Sequence, residues 1–184
     1  MNIKNVFYVT ILFTFCLPGF AFGDQAQDFK TALLAGNVDL ELRYRYSNVD
    51  QESFDNDAHS STLRALLGYE TGAFHNISAY GQLRTVQHLG GQNLFNDTLN
   101  GNIDRPIVAD PDSFEIDQAY LKSMHIPDTE ITVGRRKIAL NNERFISTLP
   151  WRQNANSFDG VVIENRRLTQ HRKEMLLLVM VLQC

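Results

Sequence analysis

The stretch V-D-L-E-L-R-Y-R-Y, from Val38 to Tyr46, alternates strictly between two kinds of side chain. Every even-numbered position from 38 to 46 is apolar or aromatic, and every odd-numbered position between them is ionisable. A period of two places successive side chains on opposite faces of a β-strand. Such a strand is typical of a transmembrane β-barrel wall, with lipid outside and water inside. It also occurs as a half-exposed strand of a soluble antiparallel sheet.

The N-terminus predicts a secretory signal peptide over residues 1–23. A lysine precedes the apolar run Val6–Leu17, and small residues at Ala21 and Gly23 suit cleavage before Asp24. The run has about a dozen residues, whereas a membrane-spanning helix needs roughly 20. We therefore expect export of a mature chain that begins at Asp24.

The composition excludes several classes of protein. The formal net charge is −4, which argues against nucleic acid as a partner. Cys16 lies in the predicted signal peptide and Cys184 is the last residue, so we predict no disulfide in the exported part. The five histidines are scattered without metal-ligand spacing, and the acidic stretch 50–57 lacks the ordered ligands of a known calcium loop. The sequence predicts neither a metal site nor a cofactor.

Further strand candidates follow the first one, joined alternately by short turns and long polar loops. Loops longer than about 15 residues, such as His88–Ser113, are uncommon in compact domains but usual on the outer side of membrane barrels. The pattern predicts an all-β fold, an antiparallel transmembrane β-barrel of which this chain supplies about six strands. After the first strand, the candidates are Thr62–Glu70, Ile77–Gln87, Phe114–Met124, Glu130–Ile138 and Phe158–Asn165.

The alternation also predicts which residues face lipid. Side chains two positions apart on a strand share a face. The predicted lipid-facing residues are Val38, Leu40, Leu42, Tyr44, Ala65, Leu67, Ala79, Leu83, Ile131 and Val133.

Several ordered motifs resemble the alginate export porin family of Gram-negative outer membranes. They are F-E-I-D-Q-A-Y-L at Phe114–Leu121, G-R-x-x-I-x-L-x-N-x-R-F at Gly134–Phe145, W-R-Q-N at Trp151–Asn154 and F-D at Phe158–Asp159. The resemblance covers Gly36 to about Arg167. It implies a single-chain barrel of about 18 strands with an aqueous channel. It also implies an arginine-rich lumen that passes an anionic uronate polysaccharide.

Arginine outnumbers lysine twelve to five, and a guanidinium is a fixed, always charged fork suited to carboxylates. Tyrosines on the polar parity could stack on sugar rings. An alternative role is wall pairing with acids of neighbouring strands, namely Asp39, Glu41, Glu70, Glu115 and Asp117. The candidate residues of the substrate path are Arg43, Arg45, Arg64, Arg84, Tyr80, Tyr120, Arg135, Arg136, Arg144 and Arg152.

The alternation vanishes after Asn165. Residues 166–184 end in an apolar octet that has no period of two and is too short to span as a helix. We interpret residues 24–165 as the N-terminal third of a barrel and residues 166–184 as a frame-shifted tail. Such a truncated chain would be inactive alone, because open sheet edges are not tolerated in lipid.

The sequence favours an outer-membrane channel for anionic polysaccharide or oligosaccharide over an enzyme. Its expected partners are that solute, outer-membrane lipid and the barrel-assembly machinery. Glu115 and Asp117 could form a glycosidase pair, but neighbouring acids on a strand are usually ladder or pore residues, so we predict no catalytic residue. The alternative is a secreted soluble all-β protein that binds or cleaves polysaccharide.

Overall fold

A computed structural model describes residues 3–17, 28–91, 94–138 and 147–165. All seven strands in these ranges form one antiparallel sheet in which each strand pairs with the next along the chain. The elements are β1 (Ile3–Leu17), α1 (Phe29–Leu34), β2 (Asn37–Gln51), β3 (Ala58–Glu70), β4 (Ile77–His88), β5 (Ser113–Ser123), β6 (Thr129–Arg136) and β7 (Phe158–Asn165). This architecture follows from the short turns between β3 and β4 and between β5 and β6, which join antiparallel neighbours.

The six predicted strands correspond to β2–β7, so the all-β, antiparallel part of the prediction is confirmed. Two of them are longer than predicted. In the added parts Ser47 lies opposite Ser60. Small hydroxyl residues extend a ladder without an apolar alternation, which is why the pattern ended too early.

The seventh strand, β1, was not predicted. It contains the whole apolar run of the predicted signal peptide and pairs with β2 from Ile3–Gln51 to Leu17–Val38. The run is rich in β-branched and aromatic residues, which favour strand formation. The predicted cleavage site lies in residues 18–27, outside the described residues, so the signal peptide stays a prediction.

The register gives the sheet two chemically distinct faces. Leu40, Leu67 and Leu83 form one row across β2, β3 and β4, and Leu121 and Val133 lie opposite each other in β5 and β6. We call this side the apolar face. All the residues that the sequence assigned to lipid share it, which confirms their common face, while their contact with lipid remains a prediction. We call the opposite side, which carries Arg43, Arg64 and Arg84, the polar face.

A β-bulge changes the parity of β5. The register shifts opposite Gln82 and Leu83, so Glu115 pairs with Arg84 before the bulge and Gln118 pairs with Gln82 after it. The extra residue leaves both odd- and even-numbered residues of β5 on the polar face. Tyr120 therefore lies beside Tyr80 on that face, with the ring centroids 5.2 Å apart.

Gly134 is required by the backbone of β6. Its φ of +131° is rarely adopted by other residues, and a Cβ there would lie 2.3 Å from the carbonyl oxygen of Ala119. Gly134→Ala is expected to lower the free energy of unfolding by at least about 1–3 kcal/mol through backbone strain alone. Denaturant unfolding monitored by circular dichroism measures this loss.

Gly81→Ala is the matched control. Gly81 lies in β4, and a Cβ there would meet no atom within 4 Å. We expect a change of less than about 1 kcal/mol, of either sign. Equal losses in the two variants would contradict the assignment of Gly134 to a strained backbone position.

Candidate functional site

The polar face is covered by a segment that folds back onto it. We call residues 147–157, between β6 and β7, the inner loop. Gln153 is at its centre with 0% of its side chain exposed. Its Nε2 donates to Thr62 Oγ1 at 2.8 Å, and its backbone N–H donates to Asp110 Oδ1 at 3.1 Å. A glutamine in such a position anchors a loop, because every buried polar atom needs a partner.

The strand arginines hold the inner loop by its backbone. Arg43 donates from Nε to Gln153 Oε1 at 2.8 Å, from Nη1 to the Pro150 carbonyl at 2.7 Å, and from Nη2 to the Arg152 carbonyl. All three acceptors are neutral. Arg64 Nη1 lies 3.4 Å from the carbonyls of Arg152 and Gln153. The rigid fork of each guanidinium thus reaches several carbonyls at once.

A cluster of charges fixes the other end of the inner loop. Arg84 donates to Asp117 Oδ1 at 2.6 Å, to Glu115 Oε2 at 2.7 Å and to the Ala155 carbonyl at 2.6 Å. Lys137 Nζ lies 2.5 Å from Asp117 Oδ2, as an ion pair without hydrogen-bond alignment. Asp117 is 1% exposed, and such a carboxylate is stable only when it is paired. Both acids of the conceivable glycosidase pair are thereby engaged with Arg84.

The connection between β4 and β5 packs against the inner loop. Asp110, from this connection, forms an ion pair of 2.5 Å with Arg45 Nη2, and Arg45 Nη1 donates to the Trp151 carbonyl at 2.8 Å. Asn154 donates from Nδ2 to the Pro111 carbonyl at 2.9 Å. The two connections and β2 therefore form one hydrogen-bonded unit.

A cavity of about 640 Å³ opens between the inner loop and β1 and β2. Its charged lining groups are Arg43, Arg45, Arg152 and Asp110, and Trp151 is exposed at 63% beside them. Three cations against one carboxylate make this the cationic region of the polar face. The volume is within the usual range of small-ligand sites.

The structure places most of the predicted path residues on the polar face. Arg43, Arg64 and Arg84 are only 8%, 6% and 4% exposed, and their place on a substrate path stays a prediction. The inner loop covers them. The alternative of wall pairing is confirmed for Arg64 with Glu41 and for Arg84 with Glu115 and Asp117.

Four further predicted path residues fall into three groups. Tyr80 donates to Asp39 Oδ1 at 3.1 Å, and Arg136 pairs with Glu164 at 3.2 Å, both on the polar face. Arg152 is exposed on the inner loop. Arg144 lies outside the described residues, so its predicted role is untested.

Arg135 lies apart from the other predicted path residues. Its register partners are Ala119 and Asp159, which places it on the apolar face, and its role on a substrate path stays a prediction. It is tolerated there because Nε and Nη2 donate to the two carboxylate oxygens of Asp159 at 2.9 and 2.8 Å. Such a bidentate pair neutralises the charge.

Sequence reasoning missed three residues of the site. Gln153, Asp110 and Trp151 carry the anchor, the ion pair and the exposed ring. The W-R-Q-N motif at Trp151–Asn154 was the available signal, but only Arg152 was taken from it. A glutamine in a polar stretch gives no indication that it is buried.

A family model described as alginate export matches residues 35–177. The chain belongs to the alginate export family. Its members are grouped by export and not by catalysis, which agrees with the two acids being bound to Arg84. No curated protein and no solved structure matches the chain. The family match continues past Asn165 into the tail, which lies outside the described residues, so the frame-shift interpretation has no support here.

Within residues 3–17, 28–91, 94–138 and 147–165, no helix is long and apolar enough to cross a membrane. In the same ranges no group of three or more histidine, cysteine or acidic side chains is placed to hold a metal ion.

Proposed function

We propose that this chain forms part of the wall of an outer-membrane channel that passes an anionic, alginate-like polysaccharide. The observation that carries the proposal is the pair of faces of the sheet. Leu67, Leu121 and Val133 are 53%, 56% and 51% exposed on the apolar face. Soluble proteins rarely leave such a continuous apolar surface in water, whereas the hydrocarbon of a membrane would cover it.

The polar face supports an aqueous interior. Its arginines, acids and amides are paired with one another and with the inner loop, as expected where water and solute lie on one side of a barrel wall. Loops folded onto that face would narrow the channel. The cationic cavity beside Trp151 favours an anionic solute.

The alternative, a soluble polysaccharide-binding or polysaccharide-cleaving protein, needs a second layer over the apolar face. All strands among the described residues belong to one sheet. Its edges, β1 and β7, would need further strands or further copies before hydrocarbon could surround it. We therefore also propose that outer-membrane lipid and the barrel-assembly machinery are partners of the chain.

Cell fractionation tests the proposal. The chain, produced in a Gram-negative host together with the further strands or copies that close its sheet edges, is expected in the outer membrane and to need detergent for extraction. Recovery as a soluble periplasmic protein would contradict it and favour the alternative. The control is a variant whose apolar face is made polar, for example Leu67→Gln with Leu121→Gln and Val133→Thr. We expect this variant to be absent from the outer-membrane fraction.

A further inference from the structure

We infer that Trp151 and Arg152 of the inner loop form a contact site for one uronate unit of the polysaccharide. This inference rests on the proposed function and specifies where the solute is recognised. Three strand arginines, Arg43, Arg64 and Arg84, are covered, so the layer above them presents its own groups to the solute in their place. The inner loop is that layer.

The backbone of both residues is fixed while their side chains are free to meet a ligand. The Trp151 carbonyl accepts from Arg45 at 2.8 Å, and the Arg152 carbonyl accepts from Arg43 and Arg64. The Arg152 N–H donates to the Leu149 carbonyl at 3.0 Å, which closes a turn. Preorganisation of this kind lowers the entropic cost of binding.

The indole of Trp151 is 63% exposed, although tryptophan is usually well covered. A membrane-interface anchor is not its role, because Trp151 lies with Arg43 and Arg45 on the polar side of the sheet. A flat aromatic surface in water suits the apolar face of a sugar ring.

The charge next to this ring favours an acid. Arg152 is exposed and pairs with no carboxylate among the residues that the structure describes. Arg43, below it, binds only neutral acceptors. A ring that stacks on Trp151 and carries a carboxylate would place that carboxylate within reach of the guanidinium fork. A neutral sugar would use only the aromatic surface.

Trp151 is the single tryptophan of the chain, so its fluorescence reports directly on this site. We would titrate the full chain in detergent micelles with short alginate oligosaccharides and with the same oligosaccharides after reduction of their carboxyl groups. The charged oligosaccharides are expected to give a saturable change in fluorescence that weakens with salt, and the reduced ones a much smaller change.

Arg152→Gln is expected to weaken binding at least about tenfold, the loss of one charge-assisted hydrogen bond. Its side chain is exposed, so the fold is retained. Lys30→Gln, which also removes one cation but at an exposed position of α1, is the control and is expected to bind like the unmodified chain. Equal binding by Arg152→Gln, or an equal response to reduced oligosaccharides, would overturn the inference.

Equilibrium dialysis separates this inference from the proposed function. Saturable binding by dialysis without a change in Trp151 fluorescence would mean that the polysaccharide binds elsewhere, which overturns the contact site alone. Absence of binding by dialysis would overturn the proposed solute as well.

Discussion

Leu67→Arg is expected to lower the free energy of unfolding from lipid vesicles by about 2–4 kcal/mol, the cost of a cation near the middle of a bilayer. Leu67 lies in β3 between Leu40 and Leu83 of the neighbouring strands. Its side chain is 53% exposed, so arginine would fit without steric conflict, and the loss would come from contact with hydrocarbon. Urea titration of the protein, reconstituted in lipid with the further strands or copies that close its sheet edges, measures it.

Gln87→Arg is the matched control, because Gln87 lies on the same face at the end of β4. A cation near the membrane interface costs only about 0–1 kcal/mol. If the apolar face met water, both substitutions would fall within about 0.5 kcal/mol of zero, as surface changes usually do. Equal small effects would therefore contradict the transmembrane placement.

The strands could be predicted because each face of the sheet has one kind of environment. Where the environments differ strongly, as from Val38 to Tyr46, the alternation is complete and the strand is found. Where the two environments are alike, as at Ser47 and Ser60, the residues are small and polar on a buried surface. The local sequence pattern then does not indicate where a strand begins or ends, and β2 and β3 extend further than predicted.

The face of Arg135 could have been predicted. Ile131 and Val133 were assigned to the apolar face, and a further step of two reaches Arg135. The cluster R-R-K at 135–137 suggested a common cationic role instead, although adjacent residues of a strand point to opposite sides. The face of Tyr120 could not have been predicted, because it depends on a β-bulge in β5 that no feature of the sequence indicates.

The inner loop could not be predicted by any local rule. Arg43 and Gln153 are 110 residues apart in the chain, and Arg84 and Ala155 are 71 apart. Hydrogen bonds over such separations depend on the register of several strands at once. For this reason the strand arginines were correctly placed on the polar face and their acidic partners Glu41, Glu115 and Asp117 were foreseen, but their carbonyl acceptors in the inner loop were not.

Gln153→Ala is expected to release the inner loop from the polar face. The substitution removes the acceptor of Arg43 Nε and the donor to Thr62 Oγ1. Each buried polar group left without a partner costs about 1–3 kcal/mol, and more for a charged one. Water would then enter beneath the loop, and the local opening free energy of residues 147–157 would fall by a similar amount.

Limited trypsin digestion measures this opening, because the bond after Arg152 lies within the anchored segment, where the Arg152 carbonyl and the Gln153 N–H are both hydrogen-bonded. When opening and closing are fast relative to cleavage, the rate follows the open population. We expect cleavage at Arg152 to rise at least about tenfold in Gln153→Ala, since 1.4 kcal/mol is a factor of ten. Asn156→Ala, at an exposed position of the same loop, is expected to leave the rate unchanged. Equal cleavage rates in both variants would show that Gln153 does not hold the loop.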